Sequence, residues 1–111
     1  MLQEMQMAGG GGNNIDLTSP DLQGTFTGLT SSNPKTFSVA QKPRAVFMHA
    51  NNSAGYDYYM YCDDKFAFET GNNIFEDKTS TMSSYINVTS SSVTFYTSRL
   101  NAMAGMYAIY Y

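Results

Sequence analysis

The chain has 111 residues, 42% of them hydrophobic, 14% aromatic and only 14% charged, and a formal net charge of −3. This is the length and composition of one globular domain, too short for a two-domain enzyme, and its polarity must come largely from Ser, Thr, Asn, Gln and Gly. Six Lys and Arg residues without a run give no track for a phosphate backbone, the single Cys62 excludes an internal disulfide framework or a Cys-built zinc site, and no stretch approaches the roughly 20 apolar residues that cross a bilayer.

Residues 1–21 read as a flexible, Gly-rich arm or linker. Residues 1–8 would make about two helical turns, too few for a stable free helix. Gly9, Gly10, Gly11 and Gly12, followed by Asn13 and Asn14, would end any helix and behave as a joint. Two uses stay open for this segment: an attachment or trimerisation arm that orders against a partner, or a disordered tail.

From Leu22 the spacing becomes that of strands. Leu22, Gly24 and Phe26 point one way and Gln23, Thr25 and Thr27 the other. Ser31, Ser32, Asn33 and Pro34 form a turn, and residues 35–39 return with Phe37 and Val39 on one face, which predicts a hairpin. Pro43 breaks it, and Ala45, Val46, Phe47 and Met48 open an apolar strand of the kind buried on both faces.

After a turn at residues 51–55, residues 56–62 put Tyr56, Tyr58, Met60 and Cys62 on one face and Asp57, Tyr59 and Tyr61 on the other. Asp63 and Asp64 close that strand. Residues 65–69 follow, with Phe66 and Phe68 on a common face, before a turn at Gly71, Asn72 and Asn73. Ile74 and Phe75 read as a very short strand and residues 76–84 as a loop. Residues 85–89 and 93–98 are strands around a Ser-rich turn, and residues 106–111 form the last strand after a connector at 100–105. Seven or eight short strands with no long helix predict an all-β fold over residues 22–111, a small antiparallel β-sandwich, jelly-roll-like or related, or a small barrel. Spacing does not contain the strand order.

Three segments, Gly24-Thr25-Phe26-Thr27-Gly28, Lys35-Thr36-Phe37-Ser38-Val39 and Pro43-Arg44-Ala45-Val46-Phe47, resemble the small β-rich domain of bacteriophage tail, tail-fibre and other virion-associated proteins. The end is similar too: Val93-Thr94-Phe95, a connector with Asn101, and Gly105-Met106-Tyr107-Ala108-Ile109-Tyr110 close on an aromatic strand. The resemblance spans residues 22–111. It departs at Ala40-Gln41-Lys42, where the family often has Gly-Phe, and carries no signature over residues 56–84. It implies a noncatalytic all-β module of a homo-oligomeric appendage, trimers included, located in the virion and assembled in the bacterial host cytoplasm. Other virion proteins and the host surface would be its partners.

The candidate sites follow from residue chemistry. His49 alternates in phase with Ala45 and Phe47 and so faces packing or an interface; no serine motif or Cys/His pairing gives it a nucleophile to activate. Cys62 precedes two aspartates, which raise a thiol pKa, and reads as a small apolar residue. Asp57, Asp63 and Asp64 are the candidates for a weakly bound cation if their loops converge, although the spacing of a calcium loop is absent.

Nine tyrosines are the strongest compositional signal. Tyrosine joins apolar area to a hydroxyl and suits interfaces. Of these, Tyr59, Tyr61, Tyr107 and Tyr111 are expected to line a subunit contact or to stack on a ligand. The alternative use of such a set is a monomeric carbohydrate-binding module acting on a cell-surface glycan. No enzyme activity, cofactor, resident metal, nucleic-acid partner or membrane insertion is expected, and the N-terminus has neither the basic region nor the apolar core of a secretion signal.

Overall fold

Alternating segments rich in Thr, Tyr, Phe and Val extend because branched and aromatic side chains pack well on a pleated surface, and Gly, Pro, Asn and Asp close them. A computed structural model describes residues 4–6, 14–69 and 74–111. Among these residues the strands are β1 (Glu4–Gln6), β2 (Asn14–Asp16), β3 (Leu22–Leu29), β4 (Lys35–Ser38), β5 (Ala45–Asn52), β6 (Gly55–Cys62), β7 (Lys65–Glu69), β8 (Glu76–Asp77), β9 (Ile86–Val88), β10 (Ser92–Phe95) and β11 (Met103–Tyr110). A short 3₁₀ segment covers Thr79–Ser84.

All pairings are antiparallel. A six-stranded sheet runs β3-β11-β5-β6-β7-β8, a three-stranded sheet runs β4-β10-β9, and β1 pairs with β2. The three-stranded sheet covers one face of the larger one, so the fold is a small all-β sandwich. Its core joins Val46 and Met48 of β5, Tyr59 and Tyr61 of β6, Phe66 of β7 and Ile109 of β11 to Val93 and Phe95 of β10 and Ile86 of β9. Phe95, at 0% exposure, meets Phe26, Tyr59 and Tyr107 across the gap and Phe37 beside it in its own sheet.

The hairpin expected from residues 22–39 does not form. β3 lies in the large sheet against β11, and β4 lies in the small sheet against β10. Phe26 and Phe37 still face each other, 6.1 Å between ring centroids, but across the two layers. Alternation is the same for two strands paired side by side and for two strands facing across a core, so the pattern alone does not tell them apart. The bend is built at Gly28, whose φ of +78° suits glycine, where the register with β11 shifts between Met103 and Gly105 as a β-bulge.

The last strand starts three residues earlier than its composition suggests, because Met103 is buried against β3 and Gly105 is required within the strand. A Cβ at Gly105 would lie 2.3 Å from the His49 carbonyl oxygen and 2.8 Å from the Phe26 ring. Ile74 and Phe75 are exposed and not in a strand; the pairing shifts to Glu76 and Asp77, followed by the 3₁₀ segment rather than a plain loop.

At the N-terminus, Glu4–Gln6 is strand, not helix. Ile15 is buried between Ala45 and Tyr110, the Tyr110 hydroxyl donates to the Leu17 carbonyl at 2.7 Å, and the Tyr111 amide donates to the Asp21 carboxylate at 2.8 Å. Within the segment expected to be a flexible arm, Ile15 and Leu17 pack on the sheet, while Asp16, Thr18, Ser19 and Asp21 are exposed. The expected glycine joint at residues 9–12 and the turn at residues 71–73 lie outside the described residues.

Candidate functional site

Strand registers place the outward-facing side chains of the six-stranded sheet in rows across it. One row is Tyr110, Ala45 and Cys62, and Ile15 sits over its Tyr110 and Ala45. The next is Gln23, Ala108, Phe47 and Met60, and the one after it is Thr25, Met106, His49 and Tyr58. These two rows are the floor of an open groove of about 530 Å³, which Phe75 flanks beside Tyr58.

The groove is apolar and almost uncharged. His49 is the one groove-lining residue besides the tyrosines with an ionisable side chain, and its ring stacks on Tyr58 at 4.2 Å and 11°. Tyr58 is 36% exposed and Met106 58% exposed. His49 shares the outer face with Ala45 and Phe47, half-buried in the open groove and stacked on Tyr58.

A second, polar concavity of about 300 Å³ opens on the inner side, where Asp57 and Arg99 meet. Arg99 Nε and Nη2 donate to Asp57 Oδ1 at 3.1 and 3.0 Å, Thr97 Oγ1 donates to Oδ2 at 3.4 Å, and Arg99 Nη2 also reaches the Tyr56 carbonyl at 3.2 Å. The Asp57 bond holds the Arg99 guanidinium above its ordinary pKa. With Asp57 almost fully buried, this pair ties β6 to the segment leading into β11.

The expected cation group does not assemble. Asp57 faces the core, whereas Asp63 and Asp64 form the exposed turn at the other end of β6, about 20 Å away by strand rise. Both turn residues have positive φ, 54° and 67°, as a tight two-residue hairpin requires. Asp64 Oδ1 accepts from Lys42 Nζ at 3.0 Å and from the Tyr61 hydroxyl at 2.8 Å, and these bonds, Lys42 first, hold its carboxyl below the usual value. Among the described residues no cluster of three His, Cys, Asp or Glu side chains could hold a metal ion.

The tyrosines expected at a contact lie elsewhere. Tyr59 and Tyr61 are 2% and 1% exposed in the core; the Tyr59 hydroxyl donates to the Tyr96 carbonyl and the Tyr61 hydroxyl to Asp64. Burial pushes both phenols well above their ordinary pKa. Tyr107 is half-buried on the inner face with its ring 4.2 Å from Phe37, and the half-buried Tyr111 accepts the Ala40 amide on its hydroxyl at 2.8 Å. All four work inside the sandwich or at its seams.

The residues that do meet the surface are Tyr58 and Met106, one position along from Tyr59 and Tyr107, and His49, which stands between them in the same cross-strand row. The alternation separates these two sets, but nothing in it says which set the second sheet will cover. Cys62 is half-buried on the outer face beside Ala45, and burial, then Asp63, raises its thiol pKa. No protein-family model, curated protein or solved structure matches the chain.

Proposed function

We propose that this chain is a noncatalytic structural protein of a bacteriophage particle, tail-associated, that acts by homo-oligomeric assembly and host-surface contact. The virion, assembled in the bacterial host cytoplasm, is its place in this reading, with other virion proteins as neighbours. The observation that carries the assembly reading is the apolar groove on the six-stranded sheet, bordered by Gln23 and Thr25 of β3. Its shape and lining suit a contact surface. Two copies each carrying a net charge of −3 approach with least repulsion where neither presents an acid. The virion setting rests on the resemblance of the β3, β4, β5 and β11 segments to phage appendage domains.

Size-exclusion chromatography with multi-angle light scattering on the full chain tests this reading. A mass that is a multiple of the single chain and persists on dilution is expected; a monomer at every concentration overturns it.

One feature favours a second reading as a monomeric carbohydrate-binding module. The exposed Tyr58 shares the groove with the Gln23 amide and Thr25 hydroxyl, an aromatic and polar combination suited to a sugar ring. Saturable binding of the monomer in a glycan screen, lost in Tyr58→Ala, would establish that reading over the first.

A further inference from the structure

Among the described residues, the two sheets of the sandwich end in four strands, and three of them are guarded against pairing. β8 is two residues long and both are acidic, β9 has three residues, and β4 has four, opening with Lys35 directly after Pro34. Short length, charge and proline are the usual ways a sheet edge is blunted. β3 differs in each respect: it has eight residues, no charge and no proline.

One end of β3 is nevertheless closed. The bulge at Gly28 interrupts regular pairing, Asn33 Nδ2 donates to the Gly28 carbonyl at 2.9 Å, and the Lys35 ammonium lies close by. The other end, residues 22–26, pairs with β11 on one side and meets no strand on the other among the described residues. In an antiparallel ladder, alternate N–H and C=O groups of such a segment point outward and can accept another strand.

We infer that residues 22–26 of β3 pair antiparallel with the same residues of a second copy of this chain, about a two-fold axis at Gly24. This inference rests on the assembly reading and adds to it an edge contact beside the groove. The register is self-complementary: Gln23 stands opposite Thr25 of the partner subunit, and Leu22 opposite Phe26 of the partner subunit. Leu22 is only half-buried within one chain, so the pairing covers apolar surface that the single sandwich leaves open. Gly24 puts no side chain at the axis.

The pairing adds about four to six backbone hydrogen bonds, depending on which alternate set faces outward. It also joins the two large sheets, and because Gln23 and Thr25 border the groove, the two grooves meet at the junction. A two-fold contact builds a dimer, so a trimer would need a different surface.

The test is a register-specific disulfide in the full chain carrying Cys62→Ser. Gln23→Cys together with Thr25→Cys should give a covalent dimer on mild oxidation by oxidised glutathione, because the two positions face each other across the axis; either substitution alone should not. Both side chains are exposed, so folding is retained, which circular dichroism verifies. In parallel, Gln23→Lys with Thr25→Lys sets like charges opposite each other and should weaken dimerisation at least tenfold by light scattering.

Both results together support the edge contact. An oligomer that lacks the double-variant cross-link, that cross-links equally through either single variant, or that keeps its mass in the lysine variant overturns the edge contact and leaves self-association standing. A chain that is monomeric at every concentration removes both.

Discussion

On the inner face of the six-stranded sheet Tyr59, Tyr61 and Phe66 are buried, and the two hydroxyls have fixed acceptors. On the outer face, Tyr58, one residue along from Tyr59, and Met106 of β11 stay accessible, with His49 stacked on Tyr58. The side-chain types are nearly the same; what differs is the second layer. The three-stranded sheet reaches only the inner face, and residues 15–17 cover only one end of the outer one. Aromatic content therefore says little about function here, whereas two rows of one face that no second layer covers among the described residues mark the surface open to contact.

That contrast predicts where substitutions cost stability. Phe95→Ala, which empties the centre of the inter-sheet contact, should cost about 3–5 kcal/mol in urea unfolding, the range for truncating a fully buried aromatic. A loss near zero would mean the two sheets do not share one core. Tyr59→Phe removes only the hydroxyl bonded to the Tyr96 carbonyl and should cost about 0.5–1.5 kcal/mol by the same measurement.

On the outer face, Met106→Thr keeps a good strand former at an exposed site and should change stability by no more than about 0.5 kcal/mol. A larger loss in the single chain would show that something covers this row. The smallest effect concerns pH. The Asp64 carboxyl is held below its usual pKa by Lys42 and Tyr61, so its stabilisation is present above the unfolded value of about 4 and fades as pH falls through the lowered one. In a series of melting temperatures, Asp64→Asn should flatten the acid limb slightly below about pH 4; because the pair is exposed, the difference is small.

The strands of the large sheet were legible where a strict alternation met a clear stop. β6 is the plainest case, with its two faces and its Asp-Asp turn as expected. Its orientation was not legible, since tyrosines occupy both faces. The inward set is chosen by distant events, among them the Asp57 bond to Arg99, 42 residues later, and the arrival of β10 over Tyr59. The same limit hid the parting of β3 from β4, because the local pattern records which side chains are apolar and not which layer will meet them. Of the site, His49 and the tyrosine wealth were visible, while the pairing of Met106 with His49 in one row needed the register of β11 on β5.

The order of strands also has a consequence for biosynthesis. β11 lies between β3 and β5, yet it is made more than fifty residues after the end of β5. While the chain is being translated, β3 and β5 have no strand to join them, and both carry apolar residues and open edges during that interval. Folding then waits on long-range pairings, which places the chain among slower folders and exposes the nascent protein to premature association. A chain that ended before Met103 would hold β5 to β8 and the whole three-stranded sheet, but β3 would have no strand to pair with among the described residues.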